Sequence, residues 1–219
     1  SKIPFYNKIF VTWALDGNFK SDGSLEDRYL NVNSKKVKDT LWFVIFVGKK
    51  VPKKINKNIV LFSANNKISM NLKSLLNFLI KKLHFIFKGP YYFLNSISNH
   101  NFFADIFLKE ISTLFNKNLK LIYMPFEGQP FQNKLISNIK KYNKNIKTLG
   151  YIHSSPLALP TNFIYKKNSC PQKIIINGKD QFFCFNRFLG WKKSYLKIDN
   201  SFRFLKNKNK VDKNIIYLP

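Results

Sequence analysis

Short apolar runs separated by polar turns recur along the chain and predict buried β-strands. Continuous runs such as LWFVIFV at Leu41–Val47 are typical of strands that are buried on both faces, as in parallel sheets. Pro and Gly punctuate the runs, as Pro125 does directly after Met124. The predicted strands are Lys8–Leu15, Leu41–Val47, Asn58–Phe62, Leu119–Met124, Thr148–Ile152, Lys173–Asn177 and Leu196–Asp199.

Other segments repeat their apolar residues at helical spacing, with Lys and Asn between them. The predicted helices are Asn71–Phe87, Phe102–Phe115, Phe131–Tyr142 and Asp180–Leu189. From Asn58 onward, helices and strands alternate, which is the βαβ pattern of α/β proteins. The sequence therefore predicts an α/β fold with a mostly parallel sheet and helices on both faces.

The Lys- and Asn-rich stretch Leu205–Lys213 is typical of a linker between domains. We therefore predict one domain at residues 1–204, a linker at 205–213 and the first strand of a second domain at 214–219. The chain begins at Ser1 without Met and stops in an apolar strand pattern. From this we expect a fragment of a longer protein.

The net charge of +27 raises the question of an anionic partner. Nearly all of the positive charge is Lys, because the chain has three arginines, Arg28, Arg187 and Arg203. Arg is the residue that best makes bidentate phosphate and base contacts, so its scarcity disfavours nucleic acid. Abundant Lys, Asn, Ile, Phe and Tyr are what A/T-rich codons produce. Peripheral contact with an anionic membrane or an anionic substrate remains open.

The placement of cysteines and histidines and the length of the apolar runs bear on the compartment and on cofactors. Cys170 and Cys184 have neither metal-ligand spacing nor a disulfide framework, which fits a reduced, cytoplasmic location. No apolar run reaches the roughly 18 residues of a spanning helix. We expect no metal and no bound cofactor, since the three histidines and two cysteines lie in unrelated contexts.

An acidic cluster stands out in this Lys-dominated chain: Asp22, Glu26 and Asp27, next to Arg28. We interpret it as an exposed loop with a local ion pair, which contributes little to stability.

Glu127 and His153 each follow the carboxyl end of a predicted strand, with the predicted helix Phe131–Tyr142 between the two strands. A right-handed strand–helix–strand unit places such strands side by side, so both residues should share one rim of the sheet. Open α/β sheets bind ligands at that rim. A carboxylate there can act as general base on a sugar hydroxyl, and an imidazole can assist it or bind phosphate. Taken singly, each residue also fits an ordinary polar loop position.

The common signatures of other enzyme classes are missing from the sequence. There is no G-x-S-x-G nucleophile elbow, no G-x-G-x-x-G dinucleotide fingerprint and no P-loop.

Several segments, in order, resemble a family of bacterial surface-carbohydrate biosynthesis proteins, which are glycosyltransferases of the two-Rossmann GT-B type. They are FEGQPFQNKLI, then LGYIHSS, then Asn177-Gly178, then LGW, then SFRF, from Tyr123 to Phe204. The early DRYL run is similar to the family's N-terminal region. The chain departs from the family's W-E at Phe131-Gln132 and from its Pro-Asp at Pro171-Gln172.

The resemblance implies a Rossmann-like, acceptor-side N-terminal domain that is inactive alone. It further implies a nucleotide-sugar donor, held mainly by a C-terminal domain, and a polysaccharide or lipid-linked acceptor at the cytoplasmic membrane face. The residues that it marks are Glu127 and His153 as catalytic and Gln129, Gly150, Ser154 and Arg203 as substrate-binding.

Two other classes stay open at this point. One is a non-catalytic, Lys-rich module that binds nucleic acid or another anionic surface, in which Lys and exposed aromatic residues should gather on one face. The other is a sugar-nucleotide epimerase-like enzyme, which shares the two-domain architecture.

Overall fold

A computed structural model gives the structure of the protein and describes residues 3–63, 72–153 and 161–199. The predicted domain boundary, linker and last strand lie outside the described residues. Ser154 and Arg203 lie outside them as well.

Seven strands form one sheet in the order β5-β4-β1-β6-β7-β8-β9, and every neighbouring pair is parallel. The α/β class and the Rossmann-like parallel sheet are therefore confirmed. The strand order reverses between β1 and β6, and a crevice for ligands forms at the carboxyl ends of strands at such a point. The strands are β1 Lys8–Ala14, β2 Glu26–Asp27, β3 Val32–Asn33, β4 Thr40–Phe46, β5 Ile59–Ser63, β6 Leu121–Pro125, β7 Lys147–Tyr151, β8 Lys173–Ile176 and β9 Leu196–Ile198.

The helices flank this sheet in the connections that follow β5. They are α1 Leu72–Lys82, α2 Pro90–Ser96, α3 Asn99–Ser112, α4 Pro130–Tyr142 and α5 Lys179–Arg187. The helix predicted at Asn71–Phe87 is α-helical to Lys82 and continues as a 3₁₀ helix, Leu83–Lys88. Gly89 then reverses the chain with φ +114°, and Pro90 begins α2 at the position where its missing N–H costs nothing.

One face of the sheet packs against α3, α4 and α5. Phe107 from α3, Leu135 from α4 and Phe185 from α5 are fully buried in the same cluster as Ile9 and Phe43 from the sheet. Complete burial of a side chain of this size stabilises the fold by about 1.5–3 kcal/mol. This layer fixes α4, and therefore the loop that precedes it, against the strands.

The opposite face carries a second cluster that includes Phe10, Trp42 and Tyr151. The long connection between β1 and β4 covers it through Leu25 and through the small antiparallel β2–β3 pair. This excursion replaces the helix that usually joins the first two strands of such a sheet.

Burial corrects the interpretation of the acidic cluster as a wholly exposed loop. Asp22 does form an exposed ion pair, 2.5 Å from Lys35. Asp27, in contrast, is 2% exposed, because it lies in β2, on the side of the excursion that packs against β1. Its carboxylate accepts hydrogen bonds from the Thr12 hydroxyl and, at 2.6 Å, from the backbone N–H of Leu30.

Candidate functional site at the carboxyl edge of the sheet

Glu127 and His153 meet at the carboxyl ends of β6 and β7. The two strands are parallel neighbours in register up to the pair Pro125 and Tyr151, so the residues that follow them emerge side by side. Nε2 of His153 lies 3.4 Å from Oε1 of Glu127, an ion pair when the imidazole is protonated. The predicted shared rim is therefore confirmed.

The Glu127 carboxylate is held through its second oxygen as well. Nε2 of Gln129 donates a hydrogen bond of 2.6 Å to Oε2. The side chain of Glu127 is nevertheless 38% exposed, whereas that of His153 is 11% exposed. Since each carboxylate oxygen accepts two hydrogen bonds, both oxygens keep capacity for a ligand. Glu127 is thus the more accessible side chain in the crevice, and the more buried His153 holds its carboxylate in place.

Gln132 in the first turn of α4 fixes the loop that carries Glu127. Its Oε1 accepts from the backbone N–H of Glu127 at 2.9 Å and of Gln129 at 3.1 Å, and its Nε2 donates to the carbonyl of Pro125 at 2.7 Å. The side chain is completely buried. Sequence reasoning treated this position only as a departure from the family pattern. A Gln three residues into a helix, where it can satisfy free N–H groups, was the signal available.

Gly128 lets the same loop turn beneath a neighbouring segment. Its φ is +67°, and a Cβ there would lie 2.2 Å from the carbonyl oxygen of Asn162. Asn133 Nδ2 donates to the Gly128 carbonyl at 2.9 Å. A side chain at this position would therefore displace either the loop or residue 162.

Two aromatic residues from the β1 side complete one wall of the crevice. The ring of Tyr29 stands edge-on to His153, with centroids 4.7 Å apart. Trp13, near the end of β1, contacts Tyr29 at 5.8 Å and Phe131 at 5.7 Å. We call the group of Glu127, Gln129, His153, Tyr29 and Trp13 the edge site.

A pocket of about 250 Å³ is lined by these two aromatic residues and lies at the carboxyl ends of β1 and β4. Arg28 also lines it and is exposed, and Asn18 lines it and is buried. Drug-sized ligands occupy roughly 300–1,000 Å³, so this pocket matches a smaller group, such as one sugar ring. Asp27 explains why Arg28 and Tyr29 lie here, because it anchors the turn that follows it.

The remaining predicted site residues divide into three cases. Gln129 lies in the edge site through its bond to Glu127. Gly150 is buried inside β7, where a Cβ would lie 2.9 Å from Cβ of Phe126 and 3.1 Å from Pro171, so its surroundings give it a packing role. Ser154 and Arg203 fall outside the described residues, and their predicted roles stay predictions.

Sequence reasoning missed Tyr29, Trp13 and Arg28 as parts of the site, as well as Gln132. Among residues 3–63, 72–153 and 161–199, no group of three His, Cys, Asp or Glu side chains could hold a metal ion. Within the same ranges, no helix has the length and apolar content needed to cross a bilayer.

Comparison of the chain with protein-family models, curated proteins and solved structures finds no match in any of the three. The function is therefore argued from the edge site itself.

Proposed function

We propose that the edge site activates a hydroxyl group of a carbohydrate acceptor, within a glycosyltransferase that uses a nucleotide-sugar donor. The acceptor would be a precursor of a surface polysaccharide or lipopolysaccharide, the class implied by the resemblance. The observation that carries the proposal is the Glu127–His153 pair, with its partly exposed carboxylate, together with a small aromatic-lined pocket whose Tyr29 also contacts His153.

Glu127 is the general base in this scheme. Its carboxylate takes the proton of the acceptor hydroxyl while that oxygen forms a bond to the anomeric carbon of the donor sugar. The bond from that carbon to the donor phosphate breaks, and the nucleoside diphosphate leaves with the electron pair. The proton then passes from Glu127 to water. His153 and Gln129 hold the two carboxylate oxygens in place and are positioning residues.

Tyr29 and Trp13 support a sugar as the ligand. A sugar ring has apolar C–H faces and polar edges, and an amphipathic aromatic wall next to a hydrogen-bonding carboxylate suits both. The pocket is too small for a whole nucleotide-sugar, which agrees with an acceptor group at this position.

Arg28 supports an anionic group nearby. A guanidinium can form bidentate hydrogen bonds with phosphate, and Arg28 lines the same pocket as Trp13 and Tyr29 of the edge site. We assign Arg28 to the donor phosphates or to an acidic acceptor group.

The test uses the whole protein. Nucleoside diphosphate release is measured with a panel of nucleotide-sugars in the presence of lipid-linked oligosaccharides, and sugar addition is followed by mass spectrometry. Glu127→Gln should lower turnover by roughly 10²-fold or more, the scale of general-base catalysis. Glu110→Gln, at an exposed carboxylate on α3, is the matched control and should leave turnover unchanged.

Three outcomes would overturn the proposal. They are no sugar transfer from any donor, interconversion of a donor sugar without transfer, and normal transfer by Glu127→Gln.

A further inference from the structure

Exposed apolar side chains concentrate on the segment that runs from α1 through the 3₁₀ helix to α2. Nine of the nineteen large apolar side chains that are exposed in the described part of the chain lie between residues 75 and 94. Phe87 is 92% exposed, Tyr91 is 75% exposed and Leu94 is 62% exposed. Single exposed apolar residues are ordinary, but a contiguous group of this kind marks an interaction surface.

The attachment of α1 to the domain leaves this group facing outward. Phe78 packs against Phe102, with ring centroids 5.1 Å apart, and Nζ of Lys82 pairs with Asp105 at 3.0 Å. These contacts with α3 define the inner side of α1.

Leu76, Ile80 and Leu83 follow one another at spacings of four and three residues, so they share a different side of the helix. All three are about half exposed or more. The outward stripe is therefore apolar, where an ordinary surface helix is polar.

The charges around this stripe have one sign. Residues 72–96 contain four lysines and neither Asp nor Glu. Lys73, Lys81 and Lys88 are exposed. Tyr91 and Tyr92 add aromatic rings with polar tips, which favour the boundary between lipid and water.

We propose that this α1–α2 surface, defined by Leu76, Ile80, Leu83, Phe87, Tyr91 and Leu94 with the flanking lysines, binds an anionic lipid bilayer. Apolar side chains enter the headgroup region while Lys side chains pair with lipid phosphates. All charged side chains in this segment are positive, which favours an anionic bilayer as the partner. A second copy of the chain would bring the same lysines face to face, where they would repel each other. The helices lie on the bilayer and do not cross it.

Helix α3 links α1 to the edge site through packed rings. Phe78 of α1 contacts Phe102, and the next residue, Phe103, contacts Phe131 at 5.5 Å, which in turn contacts Trp13. Membrane binding through this surface would suit a lipid-linked acceptor, which rests on the proposed function. Binding itself does not depend on the proposed chemistry, so the two can fail separately.

The test is co-sedimentation of the full chain with vesicles of phosphatidylcholine, with and without phosphatidylglycerol. Binding should require the anionic lipid and weaken with salt. Ile80→Gln/Phe87→Gln and Lys73→Gln/Lys81→Gln/Lys88→Gln should each reduce the affinity by about tenfold or more. Lys147→Gln/Lys173→Gln/Lys192→Gln, at exposed lysines elsewhere, removes the same charge and should have a clearly smaller effect.

A second measurement reports insertion directly. Phe87→Trp should show a blue-shifted emission on anionic vesicles and quenching by brominated lipids. The proposal is overturned if the control triple variant loses as much affinity as the surface triple variant, or if residue 87 stays in water. It is also overturned if sedimentation equilibrium shows a dimer that Ile80→Gln/Phe87→Gln dissociates while vesicle binding is absent.

Discussion

Nε2 of His153 lies 3.4 Å from Oε1 of Glu127, across the carboxyl ends of two adjacent parallel strands. The imidazole is mostly buried and the carboxylate is partly exposed, so a ligand in the crevice meets Glu127 first. The two residues therefore have different roles: Glu127 contacts the substrate, and His153 orients Glu127.

His153→Gln tests whether His153 positions Glu127. The amide can still donate to Glu127 but cannot carry charge, so the carboxylate should remain present and become less well placed. Turnover should fall by up to about 10²-fold, the scale of a misplaced reacting group, with little change in KM for the acceptor.

The double variant Glu127→Gln/His153→Gln is the control for this prediction. If His153 acts through Glu127, the double variant should be no slower than Glu127→Gln alone. Additive losses, or a loss confined to KM, would contradict the positioning role.

The shared rim could be predicted from sequence because it follows from topology alone. A helix-length segment between two buried runs requires parallel neighbours, and Glu127 and His153 each come directly after a run. The same reasoning could not find Tyr29 and Trp13. Tyr29 reaches both His153 and Trp13 because of the path of the excursion after β1, and that path depends on the buried Asp27.

The helical region shows a comparable limit. Sequence reasoning predicted no helix between Phe87 and Phe102, but α2 lies there with Pro90 in its first turn, a position that suits Pro. Apolar spacing predicted the helix at Asn71–Phe87, and the structure leaves much of its apolar stripe exposed. Periodicity identifies a helix without saying what covers it.

Gln132→Met should destabilise the fold and loosen the edge site. The change preserves volume but leaves two N–H groups and one carbonyl without their buried partner. Each such loss costs about 1–3 kcal/mol, so the three together should decrease the free energy of unfolding by about 3 kcal/mol or more.

Gln181→Met is the matched control for Gln132→Met. Gln181 lies in the first turn of α5 and accepts one backbone bond, from Asn177 at 3.0 Å, in a half-buried place. Its replacement should cost clearly less in urea unfolding. Equal losses in the free energy of unfolding for the two variants would show that the hydrogen bonds of Gln132 contribute no more to stability than the single bond of Gln181.

Gly150→Ala separates packing from substrate binding. The added Cβ would lie 2.9 Å from Cβ of Phe126, so overpacking should lower the free energy of unfolding by about 1–3 kcal/mol. The acceptor KM of the folded variant should change little. Gly178→Ala, where no atom lies within 4 Å of the added Cβ, should be close to neutral. A stable Gly150→Ala variant with a raised KM would instead favour the substrate-binding role.

Asp27 should give the protein a measurable pH dependence of stability. Burial raises the pKa of this carboxyl group, and hydrogen bonds from Thr12, Leu30 and Tyr29 oppose the rise only in part. The folded state therefore holds the proton more tightly than the unfolded state does. Between the ordinary value of about 3.9 and the raised value, the contribution of Asp27 to stability falls as pH rises. The hydroxyl of Tyr123 is the titratable group facing Asp27 from β6, and its own pKa is raised by burial, so it stays neutral in this window.

Asp27→Asn removes this titration while keeping an acceptor for the Leu30 N–H and a donor for the Thr12 oxygen. Urea unfolding from about pH 4 to about pH 8 should show the variant gaining stability relative to the wild type as pH rises. Asp22→Asn is the control, because the hydrogen bond from Lys35 lowers the pKa of Asp22. The stability that Asp22 contributes is lost only as pH falls below the ordinary value of about 3.9, so the Asp22→Asn curve should run parallel to the wild-type curve from about pH 4 to about pH 8. Parallel curves for wild type and Asp27→Asn would show that Asp27 does not titrate in this range. In that case, Asp27 would anchor the Tyr29 turn through its hydrogen bonds without any coupling to pH.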